Sequence, residues 1–109
     1  DHWLKACGSA VIVGPSDYAG RIEDVAAADM SPPKRCPCRR LGSRMTILCD
    51  GRVASCEEDV LGEQCAGRAG EESMSGIWMH RMSGLRDAHA VGEWSYGPLC
   101  DRCRQWHRP

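Results

Sequence analysis

Four cysteines of this chain have a spacing suited to a metal centre, because Cys38, Cys56, Cys100 and Cys103 follow the pattern C-x17-C-x43-C-x2-C. Thiolates are soft ligands, and sets of four hold either zinc or an iron–sulfur cluster. Sulfurs so far apart in sequence reach one site only if the chain folds back twice. The pattern predicts a metal-stapled domain in which an iron–sulfur cluster is favoured and structural zinc is the alternative.

The full count of eight cysteines also allows a disulfide-bonded fold. Small secreted domains are rich in disulfides, and eight cysteines permit about 105 pairings. The first residues, Asp1 to Lys5, do not form a signal peptide, because they lack a charged region followed by an apolar stretch. Half of the cysteines also have the metal-type spacing. We therefore favour a metal centre over disulfides and expect a cytoplasmic protein.

Length and charge exclude several classes of protein. A chain of 109 residues is enough for one domain, and without phenylalanine it has few large side chains for a core. Small domains of this kind often depend on a metal or covalent staple. The formal net charge is -1, which gives no electrostatic signal for nucleic acid. No apolar run approaches the roughly 18 residues that span a bilayer. We expect neither a nucleic-acid partner nor a membrane partner.

A β-hairpin is predicted to position Cys56. Two β-prone runs flank Asp50-Gly51, a dipeptide favoured in two-residue type I′ turns because both turn positions need positive φ. The facing pairs in such a hairpin would be Leu48 with Val53 and Ile47 with Ala54.

A helical region is predicted after a glycine-rich loop at residues 62–70. Ser73 is a suitable N-cap and Gly92 a suitable C-terminal cap. The residues between them include a stripe at three- and four-residue steps: Met74, Ile77, Trp78, Met82, Leu85 and His89. Glycines inside this stretch disfavour one straight helix, so we expect a break near residues 79–83.

These patterns together predict a small α+β fold. A β-hairpin would be followed by one or two helices and a C-terminal Cys-x-x-Cys knuckle, all within a domain at residues 36–109. Residues 1–35 differ from that domain. They contain a short apolar run at residues 10–13, interpreted as a buried strand, and a linker that ends at Ser31-Pro32-Pro33.

A longer series of residues accompanies the cysteines. It comprises Pro37-Cys38, Ile47, Asp50-Gly51-Arg52-Val53, Cys56, Asp59, Gly62-Glu63, Gly67, Ser73, Ile77-Trp78, Leu85-Arg86, His89, Gly92, Leu99-Cys100 and Cys103. The series resembles the SPASM/twitch auxiliary-cluster region that follows the barrel of radical SAM enzymes. The resemblance covers residues 37–106. Its most specific parts are the Asp-Gly-x-Val-x-x-Cys hairpin, the Ser-x-x-x-Ile-Trp helix and the terminal Cys-x-x-Cys.

The resemblance implies a ligand set and a cofactor. One 4Fe-4S cluster, as in the single-cluster twitch form, would be held by Cys38, Cys56, Cys100 and Cys103. The cluster would relay electrons or position a substrate, which in this superfamily is often a peptide or protein. The alternative function is a structural zinc-binding interaction module.

The resemblance also implies a parent enzyme. Residues 1–35 would be the last strand and exit linker of an upstream radical SAM barrel, a partner in cis. SAM and a second 4Fe-4S cluster would bind only in that barrel, because the C-x3-C-x2-C motif of the SAM site does not occur in this chain. We expect a C-terminal fragment of a radical SAM oxidoreductase or maturase that is not catalytic alone.

Some cysteines lie outside the pattern. Cys36 is two residues from Cys38 and could replace it as a ligand, although the family places its cysteine directly after a proline. Cys7 is expected to be structural, and Cys49 and Cys65 are expected to be small buried side chains.

Other residues near the cysteines have candidate roles. His89 is expected in the core or beside the ligands, and Trp106 is expected to shield the cluster. His107 is the histidine best placed to replace a cysteine ligand. The acidic run at residues 57–59 is expected to be a solvated turn, with a carboxylate beside the cluster as the functional alternative.

Overall fold

A three-stranded antiparallel sheet precedes the helical region in this computed structural model, which describes residues 2–10 and 13–108. The strands are β1 (Thr46–Ile47), β2 (Arg52–Ala54) and β3 (Cys65–Arg68), in spatial order β1-β2-β3. The helices are α1 (His2–Cys7), α2 (Met74–Gly76) and α3 (Ser83–Ala90). A π-helical turn at Ile77–Arg81 joins α2 to α3, and 3-10 turns occur at Arg39–Gly42 and Trp94–Tyr96. The predicted small α+β fold is confirmed.

The predicted hairpin is present, but its register differs by one residue. The observed pairs are Thr46 with Ala54 and Ile47 with Val53. The backbone N–H of Gly51 donates to Leu48 O at 2.9 Å, and Leu48 N donates to Arg52 O at 2.8 Å. The loop therefore has three residues, with Gly51 at φ 86°, as in a type I turn followed by a left-handed residue. The pairing of Leu48 with Val53, which assumed a two-residue turn, is wrong.

Strand β3 occupies part of the segment that was expected to be a loop. The sequence predicts a loop over residues 62–70, yet Cys65–Arg68 pairs antiparallel with β2. Gly67 packs closely against the helical region, since a Cβ added there would lie 3.1 Å from the Ile77 side chain. Glycine here reflects a close approach of two elements rather than a flexible loop.

The helical region begins and ends where the sequence predicts. The Ser73 hydroxyl accepts a hydrogen bond from Gly76 N at 3.1 Å, which makes it the N-cap. The break expected near residues 79–83 is present as the π-helical turn, a common form of local irregularity within helices. Gly92 follows α3 with φ 84°, the left-handed conformation of a C-terminal cap.

Among the described residues, two small clusters of buried side chains form much of the core. The cluster that joins the sheet to the helices contains Val53, Ile77 and Met82. The second cluster contains Leu41, Leu85 and Cys100, with Cys38 packed against it. Each fully buried aliphatic side chain contributes roughly 1.5–3 kcal/mol to the stability of the fold. With so few of them, the hydrophobic core is small. The second cluster extends the core into the segments that carry cysteines.

The strand predicted at residues 10–13 falls largely outside the described residues. Val11 and Ile12 are not described, and the flanking Ala10 and Val13 are exposed and belong to no strand. Within the described part of the chain, no helix is long and apolar enough to cross a membrane.

Candidate metal centre

All four predicted ligands line one cavity. Cys38 directly precedes a 3-10 turn, and Cys56 follows β2. Cys100 and Cys103 lie in a C-terminal turn in which Cys103 N donates to Cys100 O at 3.2 Å. The apolar walls of the cavity are formed by Ala19, Leu41, Leu99 and Trp106. The fold therefore brings cysteines from three separate stretches of chain to the same place, which we call the cysteine cavity.

The other four cysteines are exposed and do not line this cavity: Cys7, Cys36, Cys49 and Cys65. The expectation that Cys49 and Cys65 are buried is wrong, because they occupy the hairpin loop and the start of β3. Cys36 is close to Cys38 in sequence but does not line the cysteine cavity. All eight cysteines belong to the described residues and none of them forms a disulfide. The disulfide-bonded alternative therefore has no support in the structure.

Burial changes the acidity of the thiols in the cysteine cavity. Removal from solvent raises the pKa of Cys56 to about 12 and that of Cys103 to about 11, with smaller contributions from the neighbouring cysteines and, for Cys103, from the Glu58 carboxylate. Removal from solvent also raises the pKa of Cys100. These three thiols are therefore protonated at neutral pH in the metal-free chain. They become thiolates when a bound cation replaces their protons.

Hydrogen-bond donors reach three of the four sulfurs. The pairs are Gln105 N with Cys103 at 3.3 Å, Gln64 Nε2 with Cys100 at 3.6 Å, and the backbone N–H of Glu58 with Cys56. Each bond stabilises negative charge on the sulfur that accepts it. N–H donors to sulfur also adjust the potential of iron–sulfur clusters, so the surroundings suit thiolates that carry a redox centre.

A buried ion pair lies at the edge of the cysteine cavity. Glu58 lines the cavity and pairs with Arg40 at 2.8 Å, and the Ser16 hydroxyl donates to the second carboxylate oxygen of Glu58. The next residue, Asp59, is 1% exposed and accepts hydrogen bonds from two backbone N–H groups of the following loop. The expected solvated turn at residues 57–59 is therefore wrong for Glu58 and Asp59.

Arg35 and His89 line the cysteine cavity, and Trp94 packs against both of them. The Arg35 guanidinium lies 4.7 Å from the Trp94 ring centroid, and the His89 and Trp94 rings meet edge to face at 5.2 Å. Arg35 donates to the carbonyl of Cys100, and the backbone N–H of Cys38 donates to His89 Nδ1 at 3.3 Å. Burial, with a contribution from the Arg35 charge, lowers the pKa of His89. The expectation that His89 lies beside the ligands is confirmed, while nothing in the sequence pattern pointed to Arg35 or Trp94.

The two aromatic residues after Cys103 have different surroundings. Trp106 is buried and lines the cysteine cavity, where it can shield an occupant from water. His107 lines a different cavity, formed with residues from 13–31. His107 is therefore not placed beside the four cysteines, and its candidate role as a replacement ligand is wrong.

The arrangement of donors bears on the kind of metal centre. In residues 2–10 and 13–108, no three His, Cys, Asp or Glu side chains converge closely enough to hold a single metal ion. The four sulfurs instead lie around a cavity with apolar walls and N–H donors. Four soft donors around a cavity with apolar walls fit, in their chemistry, either a thiolate-bound iron–sulfur core or zinc.

A small α+β domain with four cysteines around one cavity has the features of a metal-binding domain, and comparison with known families defines which one. Residues 36–104 match the SPASM family, an iron–sulfur cluster-binding domain. The match covers more than half of the chain. The chain belongs to the SPASM family.

Two further comparisons concern individual proteins. An uncharacterized protein of Treponema pallidum (strain Nichols) is 31% identical over 106 residues, which is 96% of this chain. The chain spans only 28% of the length of that relative. No solved structure gives a significant match.

Proposed function

We propose that Cys38, Cys56, Cys100 and Cys103 hold one 4Fe-4S cluster. The observation that carries this proposal is the sorting of the eight cysteines, since these four line one cavity and the others are exposed elsewhere. Membership of an iron–sulfur cluster-binding family supports the identity of the occupant. The position of Cys36 outside the cavity supports Cys38 as the ligand from the first stretch.

Structural zinc is the second candidate, and it would make the chain an interaction module. Zinc in such a site needs four sulfurs at about 2.3 Å from one ion and has no open position for chemistry. The sulfurs of this chain surround a cavity, and no three candidate ligands among the described residues converge on a point. Membership of an iron–sulfur cluster-binding family supports a core of several metal ions over a single ion.

A cluster in this position would supply electron transfer or a binding site for a substrate atom. The chain's own residues would control access to it. Leu99 and Trp106 form apolar walls that exclude water, and Gln64 donates a hydrogen bond to a ligand sulfur. Arg40 pairs with the carboxylate of Glu58 and partly offsets its charge beside the ligand sulfurs.

The parent protein, in this proposal, is a radical SAM enzyme. Residues 1–35 are the end and exit linker of an upstream barrel, and SAM and a second cluster bind in that barrel. The much greater length of the Treponema relative supports a larger parent protein. The domain at residues 36–109 relays electrons or positions a peptide or protein substrate, and it is not catalytic alone because the chain has no C-x3-C-x2-C motif.

The proposed compartment is the cytoplasm. The chain carries four exposed free thiols at Cys7, Cys36, Cys49 and Cys65. Thiols of this kind persist in reducing compartments and tend to form disulfides in oxidising ones.

Metal analysis after anaerobic reconstitution tests the proposal. The chain is treated with iron, sulfide and an equal concentration of zinc, and the bound metals and acid-labile sulfide are then measured. We expect about four irons and four sulfides per chain and a broad visible charge-transfer band. One zinc per chain with no visible absorption would establish the structural zinc module instead.

A further inference from the structure

We propose that His89 and Arg35 donate N–H hydrogen bonds to the occupant of the cysteine cavity and thereby raise its reduction potential. The inference rests on the proposed function and assigns two residues that act on the cluster without ligating it. Both residues line the cavity. Each carries a buried N–H group for which the described residues supply no acceptor, namely His89 Nε2 and Arg35 Nε.

The hydrogen bond at one nitrogen of His89 determines which nitrogen carries the proton. The backbone N–H of Cys38 donates to His89 Nδ1 at 3.3 Å, so Nδ1 is an acceptor. The proton of a neutral imidazole then lies on Nε2, which becomes a donor. The residue is 3% exposed, so Nε2 is shielded from bulk solvent. A buried donor without an acceptor costs about 1–3 kcal/mol, so an acceptor inside the cavity would stabilise this arrangement.

Arg35 is held beside the cavity by contacts that leave its Nε–H unused. Its two terminal nitrogens donate to the carbonyls of Cys100 and Asp101, and its guanidinium stacks on Trp94. These contacts fix the plane of the guanidinium. The remaining Nε–H is buried and unpartnered among the described residues. Trp94 also meets the His89 ring edge to face, so one indole orients both donors.

The two donors would act on a redox centre in the same direction. Reduction adds negative charge to a cluster and its thiolates, and N–H dipoles and a nearby cation stabilise that charge. Arg35 is the cation that lines the cysteine cavity, whereas Arg40 is already paired with Glu58. Removing either donor should therefore make reduction harder without removing a ligand.

The test compares variants of the reconstituted 109-residue chain. Iron and sulfide content is measured first, followed by the midpoint potential and the exchangeable-proton couplings in pulsed EPR of the reduced cluster. The variants are His89→Phe, His89→Gln and Arg35→Gln. The controls are His80→Phe and Arg81→Gln, because both residues are exposed and lie away from the cavity.

We expect His89→Phe and Arg35→Gln to keep the cluster but to lower the ratio of reduced to oxidised protein at a fixed potential by about tenfold, equivalent to about 59 mV for one electron. His89→Phe should also lose one exchangeable-proton coupling, and His89→Gln, which retains an N–H donor, should restore much of the potential. The two control variants should match the unmodified chain.

The outcomes separate this inference from the proposed function. If the unmodified chain binds no cluster, the proposed function fails. If the unmodified chain and the variants bind equal amounts of cluster with equal potentials and proton couplings, the inference fails while the proposed function stands. If His89→Phe loses the cluster entirely, the potential of Arg35→Gln becomes the test. A lowered potential in that variant supports the inference, and an unchanged potential overturns it.

Discussion

Arg40 and Glu58 form a buried ion pair, 2.8 Å between Nη1 and Oε1, at the edge of the cysteine cavity. Each residue lies two positions after a proposed ligand, Arg40 after Cys38 and Glu58 after Cys56. The pair therefore joins two of the three stretches of chain that carry cysteines. It also partly offsets the charge of a carboxylate beside the ligand sulfurs.

Breaking this pair on one side should destabilise the domain strongly. Arg40→Leu leaves the Glu58 carboxylate buried without its partner, which typically costs about 3–5 kcal/mol. Urea unfolding of the reconstituted chain measures the loss. The double variant Arg40→Leu/Glu58→Leu should recover much of the stability, and Arg44→Leu, which removes only an exposed pair with Glu57, should change little. Equal losses in Arg40→Leu and Arg44→Leu would contradict this role.

Serine substitutions should separate the ligands from the other cysteines. Cys100→Ser removes a thiolate from the cysteine cavity, so the reconstituted chain should lose its iron and its visible absorption. Cys65→Ser and Cys36→Ser alter exposed thiols and should retain both. Iron content per chain after gel filtration is the measurement. Loss of iron in all three variants would overturn the ligand assignment.

The metal-free chain should lose stability at alkaline pH. The pKa of Cys56 is raised by burial to about 12 in the folded chain, above the ordinary value of 9.0. The contribution of the protonated Cys56 thiol to the stability of the folded chain is therefore complete below pH 9 and is lost progressively from pH 9 to 12. At pH 10.5 this one thiol lowers the free energy of unfolding by about 2 kcal/mol, at 1.36 kcal/mol per pH unit.

Comparison with a variant isolates this contribution. The fall in thermal midpoint between pH 8.5 and 10.5 should be smaller in Cys56→Ala than in the unmodified metal-free chain. Cys65→Ala, at an exposed position, should follow the unmodified chain. A Cys56→Ala curve parallel to that of the unmodified chain would show that the pKa of this thiol is not raised in the folded chain.

The three-residue hairpin loop should depend on Gly51. Its φ of 86° is a left-handed conformation that costs an L-residue with a side chain about 1–2 kcal/mol, so Gly51→Ala should lower the free energy of unfolding by that amount. Gly42→Ala is the matched control, because a Cβ there meets no atom within 4 Å and the residue has no positive φ. Equal effects of the two substitutions would argue against the loop geometry.

Much of the helical region could be predicted from residues that are close together in the sequence. The cap at Ser73, the end at Gly92 and the break within the helical region each depend on residues close in sequence, and the structure confirms them. The hairpin was also predictable, but its register was not. Asp50-Gly51 fits both two- and three-residue loops, and only the hydrogen bonds around the loop distinguish them.

Features that depend on tertiary contacts could not be predicted. Strand β3 contains Gly67, whose lack of a side chain makes room for Ile77. The glycine-rich composition of this segment predicted a loop, because the packing against Ile77 cannot be read from composition. Spacing and resemblance identified the four cysteines. They gave no sign of Arg35, which reaches the cavity through contacts 65 and 66 residues away in sequence. The burial of Glu58 follows from its pairing with Arg40, which sequence pattern does not reveal.

The most direct test of the central claim is iron K-edge X-ray absorption of the reconstituted chain. The account predicts a first shell of sulfur and a second shell of neighbouring iron atoms, both lost in Cys56→Ser. A sulfur shell without iron neighbours, or a shell of oxygen and nitrogen, would contradict the claim that the four cysteines hold one polynuclear core.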